Sequence, residues 1–173
     1  MSSGGNCTVL GDEGREKGHI INTELGGNLK LPDHLLSDGD RFCASMRGAD
    51  SMSIEELSAG LWFPTLVYAH VCAAAELSEE PGLAPLRDAL VSGEVTFNNR
   101  MLVASLKSPE AEVVPEVVRQ AGAAFTELLQ ALIVRGGSLA GALCHLSVAN
   151  QLEHPEGPVA VSLDSSMARH FPG

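Results

Sequence analysis

Two stretches in the first quarter of the chain carry residue types that can act on a small polar ligand. Ser2-Ser3-Gly4-Gly5-Asn6 is a loop of small residues ending in an amide, and Gly18 to Gly27 reads GHIINTELGG, an apolar pair followed by Asn22-Thr23-Glu24. A loop without bulky side chains lets backbone N–H groups approach an anion. An amide and a carboxylate exchange hydrogen bonds with hydroxyl groups. The order can therefore set a backbone loop, an amide and an acid around one ligand. Other chemistries find no such pattern. Cys7, Cys43, Cys72 and Cys144 stand far apart without paired spacing and read as buried or free thiols in a reducing cytosol. The six histidines show no metal-ligand spacing, so no metal ligand is assigned, and His70 and His145 sit in helical apolar patterns that read as core or interface. A Gly-x-Ser-x-Gly nucleophile elbow does not occur.

The net charge is −11 and Lys/Arg residues do not cluster, which excludes a sequence-independent nucleic-acid surface. With 173 residues, 45% of them apolar and 19% charged, the chain reads as a single globular domain over 1–173. No uninterrupted apolar run reaches the ~18 residues of a membrane span. The N-terminus lacks the basic-then-apolar order of a secretory leader. The expectation is a cytoplasmic protein with no membrane partner.

The elements that must position these residues follow from periodicity and turn chemistry. Val9-Leu10 and Gly18 to Leu25 read as short strands across the GDEG turn at Gly11 to Gly14. Asp33 is expected to cap a helix through Met46. Ser53 with Glu56 three residues on forms a capping box ahead of Ile54, Leu57 and Leu61, and Pro64 should kink or divide that helix. Leu83 to Val91 reads as a helix ended by Gly93, Phe97 to Leu106 is ambiguous, and Pro115 opens a strong helix with a stripe from Val117 to Leu132. Gly136-Gly137 interrupts the pattern, Ser138 restarts it through Gln151, and Val159 to Leu163 reads as a buried strand. Strands at both ends with helices between them predict an α/β chain.

Five segments, kept in order over about the whole length, resemble the large domain of hexokinases. Ser2-Ser3-Gly4-Gly5-Asn6 is similar to the family's Gly-Thr-Gly-Thr-Asn loop, and Ile21-Asn22-Thr23-Glu24-Leu25-Gly26 to its Ile-Asn-Thr-Glu-Trp-Gly segment. Glu55-Glu56-Leu57-Ser58-Ala59-Gly60 resembles Glu-Lys-Met-Ile-Ser-Gly, and Arg135-Gly136-Gly137-Ser138-Leu139 resembles Arg-Ser-Ala-x-Leu. Leu163-Asp164-Ser165-Ser166 is similar to Val-Asp-Gly-Ser, with Pro172 downstream. Gly5, Leu25 and Ser165 depart from the family residues at their positions.

The resemblance implies a partial ribonuclease-H-like, actin-like ATPase large domain, with short strands at both ends and a long helical middle. It implies that Asn6, Glu24 and Glu55 bind hexose hydroxyls. It also implies that Ser3, Gly4, Gly5 and Ser166 lie on the nucleotide side, with ATP and magnesium as cofactors. The implied activity is ATP-dependent phosphorylation of a hexose such as glucose. The family's general-base aspartate belongs to a preceding half that has no counterpart in the 173 residues, and its glycine-rich adenosine segment follows the last matched motif. The expectation is therefore negligible kinase activity from this chain alone, unpaired sheet edges that favour association, and a need for a partner carrying the preceding half. Two alternatives stand beside it: a non-catalytic sugar-binding or regulatory remnant, and a helical interaction module.

Overall fold

The computed structural model describes residues 7–10, 21–23, 27, 29–77, 80–151 and 160–161, with side chains described only within 27–142. Among these residues three short strands, β1 (Cys7–Leu10), β2 (Ile21–Thr23) and β3 (Ala160–Val161), pair antiparallel in the order β2-β1-β3. Cys7 faces Thr23, Thr8 faces Asn22 and Val9 faces Ile21, while Val9 and Leu10 also face Val161 and Ala160. Six α-helices make up most of the remaining described residues: α1 (Asp38–Met46), α2 (Ile54–Ser58), α3 (Phe63–Glu76), α4 (Ala84–Val91), α5 (Asn99–Lys107) and α6 (Glu116–Gln151).

The α/β expectation, and with it the ribonuclease-H-like, actin-like ATPase large domain, is not met. The described chain is mainly helical, and strands of four, three and two residues are too short to form the sheet layer that such a fold packs its helices on. The core is helix on helix instead. Helix α3 packs against α1, α4 and α6, and α2 packs chiefly on α6. Leu66, Val67, Ala69 and Val71 of α3 are buried with Leu86 and Leu90 of α4, Leu102 of α5, and Phe125, Leu129 and Leu132 of α6. The apolar spacing of three and four in the middle of the chain is a helical period and dictates this outcome.

Two capping boxes set where helices begin. Ser37 Oγ accepts from the Asp40 N–H at 3.3 Å, while the Ser37 N–H donates to Asp40 Oδ2 at 2.8 Å. Ser53 Oγ accepts from the Glu56 N–H at 3.3 Å, and the Ser53 N–H donates to Glu56 Oε2 at 2.6 Å. Asp33 is thus not the cap of α1. It sits in a 3₁₀ turn (Asp33–Leu35) that Leu36, in extended backbone, separates from the helix. Pro64 divides the second predicted helix, standing in the first turn of α3, where its missing N–H leaves no bond unmade. Replacing the cap by Ser53→Ala is expected to lower stability by about 1–2 kcal/mol, because it leaves a buried helix-end donor unmet. Urea unfolding measures it.

Helix α6 corrects another expectation. It runs through Gly136-Gly137 unbroken, and its break lies earlier, at Gly122 (φ 53°, ψ −126°). Only glycine holds that conformation without a Cβ penalty. Gly136 is small for a different reason: a Cβ there would stand 3.3 Å from the Leu57 carbonyl oxygen, so α6 lies backbone to backbone against α2. Counting uninterrupted apolar runs misses a further property of this helix. By length and composition, Glu116–Ala142 is apolar enough to cross a membrane, although Val118, Ala121, Phe125, Leu129 and Leu132 turn inward to the core.

Candidate functional site

Of the residues assigned to a sugar site, Glu55 is described, whereas Asn6 and Glu24 lie outside the described residues. So do Ser3, Gly4, Gly5 and Ser166 on the nucleotide side. The β1–β2 ladder is described as far as the Cys7–Thr23 pair, whose next neighbours along the chain are Asn6 and Glu24.

Glu55 sits in the first turn of α2, where the helix dipole favours an acid. Two backbone hydrogen bonds hold the preceding segment against this helix start. The Leu31 N–H donates to Met52 O at 2.9 Å, and the Ile54 N–H donates to Leu29 O at 3.1 Å. The Lys30–Ser53 bridge between them is antiparallel. The result brings Gly27 beside Glu55, so that a Cβ on Gly27 would stand 2.9 Å from Glu55 Oε2. Glu55 is partly buried, and its carboxylate makes no hydrogen bond or ion pair among the described residues.

Its neighbour Glu56 does the opposite work. It is 8% exposed and turned inward, closing the Ser53 cap and accepting a hydrogen bond from Arg47. Lys30 Nζ lies 3.8 Å away, and the Arg47 guanidinium stacks 4.5 Å from the centre of the Trp62 ring. Burial pushes the Glu56 pKa up, but the Ser53 N–H and then Arg47 outweigh it and hold the carboxyl below its usual range. Glu56 therefore anchors the turn, and Glu55 is left facing outward.

The strongest polar constellation was not singled out from the sequence. Asp40 is fully buried and joins three helices. Arg135 of α6 grips its two oxygens at 2.6 and 2.9 Å, His70 of α3 approaches Oδ1 at 3.1 Å, and the Ser37 N–H and hydroxyl both donate to Oδ2 at 2.8 Å. Burial alone would raise the Asp40 pKa, yet the hydrogen bonds from His70, Arg135 and Ser37 override it and hold the carboxyl far below the usual carboxylate range. An ionised carboxylate only accepts hydrogen bonds, so His70 Nε2 carries the hydrogen. With its oxygens fully engaged, Asp40 is not placed to act as a general base. One signal could have found the hub: Arg135 follows Leu128 and Leu132 at helical spacing, and a cation on that inward stripe demands an anion to meet it.

A cleft of about 350 Å³ opens beside the hub, with Ser37, Asp38, Arg41 and His70 on its polar side and Leu77 and Leu128 on its apolar side. Neither it nor the shallower cleft at Arg100, Ala111, Glu112 and Val113 includes Glu55. Among the described residues no group of three or more His, Cys, Asp or Glu is placed to hold a metal ion. Cys43 and Cys72 are buried free thiols whose pKa values burial pushes up, so neither is a ready nucleophile. In comparisons with known proteins, no family model, no curated protein and no solved structure matches the chain.

Proposed function

We propose that this chain supplies a hexose-binding wall in a sugar-kinase site, with Glu55 as an acceptor for sugar hydroxyls beside Asn6 and Glu24. The observation that carries the reading is the partly buried Glu55 carboxylate, unpaired among the described residues and held against Gly27, three residues beyond Glu24. The antiparallel register that pairs Cys7 with Thr23, the chain neighbours of Asn6 and Glu24, supports it from the other end. Vicinal hydroxyls donate to such a carboxylate, and hydrogen bonds to charged acceptors are the stronger kind. In this reading ATP with magnesium, when bound, supplies the transferable phosphoryl group. The assigned nucleotide residues Ser3, Gly4, Gly5 and Ser166 lie outside the described residues. The wall orients a hexose, and a partner bearing a general base completes the reaction.

Calorimetric titration with glucose tests it. The parent chain should bind, and Glu55→Gln should weaken binding by about tenfold or more, the loss expected for a charge-assisted hydrogen bond. Equal affinity in the two proteins would remove Glu55 from the site. One observation favours a second reading, that of a helical interaction module: the mainly helical chain leaves Val134 of α6 68% exposed. An absence of heat from the parent chain and from Glu55→Gln alike would favour that module.

A further inference from the structure

We propose that the Asp40–Arg135 pair is a positioning device for α2: it fixes the height and rotation of α6 so that Gly136 seats α2, and Glu55 with it, against the Gly27–Leu31 segment. The link to Glu55 rests on the sugar-wall reading; the seating of α2 does not. The contacts form one continuous chain. A guanidinium fork bound to both oxygens of one carboxylate sets direction as well as distance. The next residue is Gly136, whose missing Cβ lets the α6 backbone reach the Leu57 carbonyl and the Ser58 Cα. Helix α2 has five residues, too few to persist by its own hydrogen bonds. It packs chiefly on α6, and its start is tied to Leu29 and Leu31 through Ile54 and Met52. Moving α6 along its axis therefore moves the surface on which Glu55 stands. Asp40 itself is anchored independently, by Ser37 at the start of α1 and by His70 of α3, so the reference point of the device is the centre of the helical core.

Two variants test it by amide hydrogen exchange and glucose calorimetry on the full chain. Arg135→Lys keeps the positive charge and loses the fork. Exchange at the Leu31, Ile54, Leu57 and Ala59 amides should then speed up about tenfold relative to amides of α1 and α3, as local opening predicts. Gly136→Ala leaves the ion pair intact and adds a methyl group at the α2 contact. It should keep or raise the melting temperature through better helix propensity, yet speed exchange at the same four amides and weaken glucose binding. A purely structural role would move stability and affinity together. Unchanged exchange at these amides in both variants overturns the proposal. Faster exchange with undiminished glucose affinity overturns the link to Glu55. Faster exchange in a chain that takes no glucose even as the parent upholds the seating of α2 and overturns the sugar-wall reading instead.

Discussion

Arg135→Met should lower the unfolding free energy by about 3 kcal/mol at neutral pH, read from the urea midpoint. Removing one member of a buried ion pair leaves the other charged without its partner, which typically costs about 3–5 kcal/mol. The low end applies because the Arg135 side chain is 31% exposed and because Ser37 and His70 still hold the carboxylate. The acid limb of the stability profile should change as well. Asp40 titrates below its usual range in the folded protein, so the unfolded chain binds its proton first as pH falls. Its contribution is complete above the unfolded carboxylate value of about 3.9 and drains away as pH drops below it. Glu56, also depressed, adds to the same limb. In Arg135→Met the Asp40 shift shrinks, and the loss of stability on acidification becomes shallower. An acid slope equal to the parent's would show that Arg135 does not hold the carboxyl down.

Phe125→Ala should cost about 4 kcal/mol, within the range for truncating a fully buried phenylalanine. The ring is 2% exposed and stacks on Phe97 with centroids 5.5 Å apart and planes 22° from parallel. It belongs to α6, the helix that α2, α3, α4 and α5 all touch, so the cavity opens where few neighbours can collapse without disturbing others. Val134→Ala on the same helix removes an exposed side chain and should change stability by less than about 0.5 kcal/mol. A comparable loss in both would place the helix differently from the arrangement described.

What could be read from the sequence differs by level. Helix starts were legible where a side chain satisfies a backbone donor, as with Ser53 and Glu56, and where proline forbids continuation, as at Pro64 and Pro115. Chemistry confined to three or four residues leaves a local trace. The fold class was not legible, because short apolar segments such as Val159 to Leu163 look alike whether they form a layer or a two-residue bridge. Gly122 and Gly136 were equally opaque: the sequence shows a glycine, and only the neighbours reveal whether it breaks a helix or lets another helix approach. The hub escaped for a similar reason. His70 and Arg135 stand 30 and 95 residues from Asp40, and nothing local ties the three together. Glu55 was legible as an acid at a helix start; its pairing with Gly27 depends on a bridge between segments that share no pattern.

The packing of His70 on Gly39 bears on how such a chain diverges through descent. A Cβ on Gly39 would stand 2.4–2.6 Å from atoms of the imidazole ring, closer than any side chain tolerates. Any descendant that keeps the histidine must keep the glycine, and one that enlarges position 39 must give up His70 and then find another partner for Asp40. Positions 39 and 70 are thus coupled sterically, and positions 40, 70 and 135 through the hydrogen bonds of the carboxylate. In a distant descendant, a change at one of these coupled positions is expected to bring a compensating change at another, whatever the exposed faces around them do.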